Sequence, residues 1–399
     1  MKHMALYCAV LCIALFSIPA MAADTAQNRM AFWDVTRTGT NCFNKVPTEA
    51  WFNDAEALGV RWVRLAFDKW KGERRDFLVG NADGYTGLVE KDAQVLDTVL
   101  GWAVKHNIKI VLAPLTLPGC RYRQNNGGRY DGRLWADKTY WKQAAAYWKD
   151  IAARYCNHPA IVGYNMLNEP APELGRGVAE HAPLGDVSRL APWYAQVKGT
   201  AADLPLFYTE VIAAIRTVDA TVPVMVDSGW YAQPATFSYW KPLPDDNVLY
   251  AFHMYEPYAF TSGKNWNRTK PYAYPGTIPF AGAAVDWNRD ALAQYMAPVF
   301  AWAATNHIPC TRLVAAEFGV MRRNNGAQQY LEDVLSILEA QKIHWAFYSF
   351  REDEWDGYDY EVGTKGLGWK YWQAVERGEH PEVPRKDTPL FSVIKSKLQ

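Results

Sequence analysis

Residues 161–170 read Ile161-Val162-Gly163-Tyr164-Asn165-Met166-Leu167-Asn168-Glu169-Pro170, a β-rich apolar run that stops on an amide, a carboxylate and a proline. Helical periodicity flanks it, from Thr139 to Tyr155 before and from Leu206 to Val218 after. A short strand feeding a helix is the unit of a parallel sheet wrapped by helices. Working outward from Ile161 to Leu167, the unit recurs. Strand-like runs occupy Arg37 to Phe43, Val60 to Phe67, Ile108 to Ala113, Val222 to Asp227, Val248 to His253, Leu313 to Ala316 and His344 to Phe350. Further helical stretches run from Thr48 to Leu58, ended by Gly59, and from Lys91 to His106, with Val95, Leu96, Val99 and Ala103 on one face. Others are Arg289 to Thr305, Ala327 to Ala340 and a final Leu390 to Leu398. Eight β/α units predict an α/β fold of the (β/α)8 TIM-barrel type, one domain with long strand-to-helix loops. No G-x-G-x-x-G turn follows the first strand, which weakens the open dinucleotide-binding alternative. Three long connections, Pro170 to Ser188, Tyr255 to Asp286 and Arg351 to Asp387, all follow strands, and such segments build the active-site face of a barrel.

Composition narrows the function. The 399 residues carry 42 Lys or Arg against 42 Asp or Glu, so the formal net charge is zero. A chain built to hold nucleic-acid phosphates usually has a basic excess, and none is present. With 49% hydrophobic and 21% charged residues the chain is globular rather than disordered. Its 18 Trp and 23 Tyr can fill a core, but their flat faces also suit sugar rings.

Residues 1–22 read as a secretory signal peptide. Lys2 and His3 precede an apolar run from Met4 to Ile18, and Ala20-Met21-Ala22 supplies a small-x-small cleavage pattern. Residues 23–399 then form the mature barrel, expected in the periplasm or outside the cell. Cys8 and Cys12 leave with the leader. Cys42, Cys120, Cys156 and Cys310 remain, scattered without C-x-x-C, which disfavours a zinc site and allows one or two disulfides of undetermined pairing.

The chemistry gathers at strand ends. Glu169 ends the fourth strand, and Glu317, in Ala315-Ala316-Glu317-Phe318-Gly319, ends the seventh. A carboxylate beside an apolar strand is costly to desolvate unless partnered, and two on one face of a barrel invite a catalytic explanation. Asn168 offers an amide to a sugar hydroxyl, and Pro170 stiffens the exit of the strand. The sixth strand ends Phe252-His253-Met254-Tyr255-Glu256-Pro257, with His253 and Tyr255 on the same side by alternation. Arg64, on the second strand, puts a guanidinium inside the barrel, where it needs an anion. Trp230, just after the fifth strand, and Trp266, after the sixth, are candidate sugar platforms, with core packing as the competing role.

Together these residues resemble glycoside hydrolase family 5, the cellulase family of the large (β/α)8 retaining glycosidase clan. The likeness lies in Asn168-Glu169-Pro170, Glu317-Phe318-Gly319, Arg64, His253-x-Tyr255-Glu256-Pro257-x-x-Phe260-Thr261 and the strand-1 segment Gly39-Thr40-Asn41, spanning roughly Arg37 to Phe350. The resemblance implies Glu317 as nucleophile, Glu169 as acid/base, Asn168 bonding a 2-hydroxyl, Arg64 and Tyr255 holding Glu317 ionised, and His253 lining the same subsite. Two positions depart from the family pattern. Leu115 stands where many members carry a histidine, and the eighth strand reads Trp345-Ala346-Phe347-Tyr348-Ser349-Phe350, so Tyr348, or Trp345 in another register, takes the place of a floor tryptophan.

The resemblance implies a secreted retaining β-glycosidase, an endo-acting β-glucanase first and a β-mannanase or other β-glycoside or glycolipid hydrolase second. A non-catalytic carbohydrate-binding barrel is the rival of another class, and retention of both glutamates speaks against it. A metal-dependent hydrolase is disfavoured by eight dispersed histidines and no H-E-x-x-H element. No cofactor and no metal are expected. The expected partner is an oligo- or polysaccharide substrate, with no nucleic acid, no membrane once the leader is cut, and a monomeric state.

Overall fold

Eight parallel strands close on themselves in the computed structural model: β1 (Thr38–Cys42), β2 (Trp62–Leu65), β3 (Lys109–Leu112), β4 (Ile161–Asn165), β5 (Val224–Asp227), β6 (Val248–Met254), β7 (Leu313–Phe318) and β8 (His344–Phe347). They pair in chain order, and β1 closes the ring against β8 through Thr38–Trp345, Gly39–Ala346 and Thr40–Phe347. The structure describes residues 29–398 apart from 124–125, 354–355 and 380. The leader assigned to residues 1–22 lies outside the described residues. Among those described, no helix is long and apolar enough to cross a membrane.

Each expected strand is present, six of them shortened and the sixth and seventh extended to Met254 and Phe318, and the expected helices follow within a few residues. Their starts have local causes. Thr48 accepts from Trp51 N–H, Asp137 from Thr139 N–H, Asp203 from Leu206 N–H and Asn288 from Asp290 and Ala291 N–H, each supplying a partner to an otherwise orphan donor at about 1 kcal/mol. In the helix Glu90–Lys105 the buried stripe is Leu96, Val99, Leu100 and Ala103, whereas Val95, expected on that face, is exposed. One turn of helix advances 3.6 residues, so the stripe runs through position 96 and its neighbour turns outward.

Inside the barrel, Trp62, Val111, Val162, Met225, Leu249, Ala251, Val314, Ala316 and Ala346 form one apolar cluster. The β1 backbone meets Trp62 so closely that a Cβ on Gly39 would lie 2.6 Å from the indole nitrogen, which is why glycine stands there. The segment Arg29–Asp34, not anticipated from the sequence, closes the bottom. Its Trp33 is fully buried, donates to Val162 O at 2.9 Å and packs edge-on against Trp62 and His344. The larger core lies between strands and helices, and the last helix, Pro389–Lys395, packs against Ala327–Ala340.

His344 at this closed end is a pH-sensitive element of stability. Its Nδ1 accepts from Arg37 N–H at 2.9 Å and its Nε2 donates to Thr311 O at 3.0 Å, an arrangement that needs the neutral ring. Burial pushes its pKa down from 6.5 to about 4. The unfolded chain therefore takes up this proton below about pH 6.5 while the folded chain does not until about pH 4. Stability is lost as pH falls through that window, by up to about 3 kcal/mol. In His344→Gln, chemical denaturation between pH 7 and 4 is expected to show a correspondingly flatter decline.

The long connections differ from bare loops. The one after β4 leads into an unexpected helix, Leu190–Val197. The one after β6 carries short helical turns and a hairpin, Gly276–Phe280 with Ala283–Trp287, and the one after β8 carries the helix Trp369–Glu376. The four cysteines stand as free thiols, Cys42 and Cys120 buried, Cys156 half-buried and Cys310 exposed. The one or two disulfides that the composition allowed are thus not formed. Burial pushes the Cys42 and Cys120 thiols up to about 12, which holds them protonated and inert.

Candidate active site

At the carboxyl ends of the strands the apolar interior gives way to a polar layer built around Arg64. Its guanidinium is fully buried. Nη1 lies 2.5 Å from Glu317 Oε1 and 3.2 Å from Asn41 Oδ1. Nη2 meets Asn168 Oδ1 at 2.7 Å, Asn165 Oδ1 at 2.6 Å and Asp227 Oδ2 at 3.2 Å, and Nε meets Asn165 Oδ1 at 2.8 Å. The planar fork of donors thereby ties β1, β4, β5 and β7 together, which a point charge could not do.

Glu317 reaches this layer through an irregularity. The β7–β6 register shifts between Ala315 and Glu317, a bulge that turns the glutamate into the barrel although Val314 and Ala316 already face inward. Tyr255 hydroxyl donates to its second oxygen at 2.9 Å. Burial pushes the Glu317 carboxyl above its ordinary value, His253 and Arg64 pull it back, Glu169 raises it again, and the Tyr255 hydrogen bond lowers it; the net direction is upward.

Glu169 sits in the left-handed region at φ 49°, unusual for a residue with a side chain. Its backbone N–H donates to Asp227 Oδ2 at 3.1 Å, which fixes the turn out of β4. One carboxylate oxygen lies 2.9 Å from His253 Nδ1 and the other accepts from Tyr122 hydroxyl at 3.0 Å. His253 also stands 3.9 Å from Glu317 and 3.5 Å from Asp227. Burial opposes charge on its ring, but Glu317, Asp227 and Glu169 outweigh that and push its pKa up.

Arg64, Asn168, Glu169, His253, Tyr255 and Glu317 are thus brought together. Asn168 uses its carbonyl oxygen on Arg64, leaving its NH2 as the group it can offer a hydroxyl. Tyr348 adjoins them through Tyr358, whose ring lies 5.3 Å from that of Tyr348 and 6.4 Å from that of Tyr255. Its hydroxyl donates to Glu352 at 2.9 Å, while Trp345 is buried against Phe318, so Tyr348 is the residue at the mouth of strand β8. Trp230 is only 4% exposed and packs with Ala171 and Leu190, which makes it a core residue in place of the expected platform. Trp266 is 39% exposed, and Arg323 covers one face of its ring.

Two contributors were not read from the sequence. Asp227 closes β5 and touches Arg64, Asn165 Nδ2 at 2.8 Å and Glu169 N–H; a carboxylate at a strand end was the available signal, the same one that marked Glu169 and Glu317. Tyr122 comes from beyond the Thr116–Leu117 and Cys120–Arg121 hairpin and had no periodicity to mark it. Asp227→Ala releases three anchors without touching either glutamate side chain. Steady-state kinetics of this variant are expected to show kcat lower by roughly 100-fold with KM changed little, the mark of misplacement rather than lost binding.

Glu169, His253 and Glu317 each offer an atom within 4.8 Å of the others, so this trio could also approach a cation. All four carboxylate oxygens, however, already have protein partners: Arg64 and Tyr255 on Glu317, His253 and Tyr122 on Glu169. The geometry is that of an ion-paired carboxylate couple, with Arg64 supplying the positive charge.

A family profile described as Cellulase (glycosyl hydrolase family 5) matches residues 24–354. Endoglucanase 3 of Fibrobacter succinogenes is 26% identical over 290 residues, 64% of this chain and 38% of that protein. Endoglucanase C of Acetivibrio thermocellus is 23% identical over 342 residues, 79% of this chain and 88% of that one. The chain therefore spans well under half the length of the first relative and most of the second. Among solved structures, a hyperthermophilic endo-β-1,4-glucanase in complex with substrate shares the fold at a TM-score of 0.62 and 16% identity, covering 92% of this chain and 99% of that one. Thermotoga maritima Cel5A in complex with mannotriose gives 0.57 at 16% identity, covering 83% and 94%.

Proposed function

Because the chain belongs to glycosyl hydrolase family 5 and is an O-glycosyl hydrolase, we propose that it cleaves β-glucans internally, with retention of configuration, through Glu317 and Glu169. The observation that carries this is the close pairing of the two carboxylates, whose nearer oxygens lie within 4.8 Å. Double displacement uses carboxyl groups roughly 5 to 5.5 Å apart, whereas inversion needs about 6.5 to 9.5 Å to admit a water.

Glu317 attacks the anomeric carbon, and the C1–O bond to the leaving sugar breaks as Glu169 gives its proton to the departing oxygen. Water then adds to C1, its proton passing to Glu169, and the bond from C1 to Glu317 breaks. Arg64 and Tyr255 hold both Glu317 oxygens, so the carboxylate is aimed before substrate arrives. Asn168 offers its NH2 to the 2-hydroxyl of the sugar at the cleavage point. A β-glucan is favoured by the names of the endoglucanases that the sequence resembles. In the same reading the enzyme is exported and monomeric, and its mature chain starts at Ala23, which mass analysis of the exported protein checks.

Reducing-end release across soluble β-glucans, mannans and xylans tests the proposal. Cleavage of the glucans and not the others is expected; cleavage of mannan alone moves the substrate class, and no cleavage by folded protein overturns the proposal. Hydrolysis in a chelator is expected to match that in its absence, and loss of activity reversed by added cation would reassign Glu169, His253 and Glu317 as ligands.

A further inference from the structure

We propose that Tyr122 is a positioning residue for Glu169: it holds the oxygen that passes the proton to the leaving sugar and steadies the charge that Glu169 gains as the bond breaks. The inference rests on the double-displacement reading above. Glu169 is gripped from two sides. His253, almost fully buried and facing Asp227 and Glu317, takes Oε1 at 2.9 Å; Tyr122, half-buried, takes Oε2 at 3.0 Å. Of the two partners Tyr122 is the less buried, and the oxygen it touches, Oε2, is assigned as the one that passes the proton.

Tyr122 is itself held in place. The hairpin that precedes it is anchored by buried Arg121, which meets Asp76 at 2.8 Å and Asp83 at 2.8 Å. Its ring packs into the cluster of Phe43, Ala66 and Leu115, so Leu115 becomes part of the bed for this tyrosine. The Glu169 charge first, then burial and the Glu317 charge, push the phenol well above its ordinary value. Tyr122 thus keeps its proton and acts as a donor, not as the acid.

A donor aimed at Oε2 gains strength as that oxygen changes from O–H to carboxylate. The proton moves from Oε2 to the glycosidic oxygen, the C1–O electron pair goes with that oxygen, and Tyr122 donates to the negative charge left behind. Hydrogen bonds to charged acceptors are the strong ones, and one that strengthens in the transition state lowers the barrier.

The test compares kcat/KM for cellotetraose, whose leaving group needs a proton, and for dinitrophenyl β-cellobioside, whose leaving group does not. In Tyr122→Phe the ring remains and only the hydroxyl is removed. The expected result is a fall of about 10- to 100-fold for cellotetraose with a change under about 3-fold for the aryl glycoside. Equal falls for both substrates, or no fall for either, would overturn the inference. Glu169→Ala runs beside it and is expected to show the same split more strongly. If Glu169→Ala shows the split and Tyr122→Phe does not, only the role of Tyr122 fails. Absence of the split in Glu169→Ala removes the acid assignment itself, and the inference with it.

Discussion

Glu317→Gln is expected to lower kcat on the preferred glucan by roughly 10^4-fold or more, because the neutral amide oxygen is a far weaker nucleophile than a carboxylate. The substitution is nearly isosteric. Arg64 keeps Asp227 at 3.2 Å and the amides of Asn41, Asn165 and Asn168, so its charge is not left bare. Tyr255 can still donate to the amide oxygen. Folding should therefore be preserved, and a thermal melt close to that of the parent is part of the expected result. A folded variant that retains more than about a tenth of parental kcat would remove Glu317 from the nucleophile's place.

The second large effect is that of Arg64→Ala, and it falls on stability as well as rate. The guanidinium lies between the buried carboxylates of Glu317 and Asp227. Removing it leaves two anions in a site shielded from water, and breaking a buried pair from one side typically costs about 3 to 5 kcal/mol. The loss should be read as a lower denaturation midpoint near neutral pH. Activity is expected to fall by at least roughly 100-fold, because Glu317, Asn168 and the β4 exit lose their common anchor. Arg64→Lys should recover little of either, since one ammonium cannot reach Asn41, Asn165, Asn168, Asp227 and Glu317 together. Substantial recovery by lysine would show that charge alone, not the fork of donors, organises the site.

The barrel was legible because its strands are short and apolar and all but the fifth are followed by a helical stripe, a pattern set by local chemistry. Strand ends marked Glu169 and Glu317, and alternation placed His253 and Tyr255 on one side; both glutamates do share one site with them. What escaped depends on contacts distant in sequence. Alternation through Val314 and Ala316 would turn Glu317 outward, and only the bulge against β6 turns it in. Tyr122 reaches Glu169 because a hairpin folds back over the barrel, and no periodicity records that. Of the two roles the sequence left open for Trp230, the structure shows core packing: Glu173 accepts its backbone N–H at 3.0 Å and the indole turns into an apolar cluster. The plug around Trp33 likewise has no repeat to announce it, although it closes the end of the barrel opposite the site.

The most direct measurement is the anomeric configuration of the first product, followed by proton NMR during rapid hydrolysis of a soluble β-glucan before mutarotation mixes the anomers. The paired carboxylates of Glu169 and Glu317 predict that the β-anomer forms first and the α-anomer grows in later. Initial appearance of the α-anomer would mean that water, not Glu317, attacks the sugar, and would contradict the account at its centre.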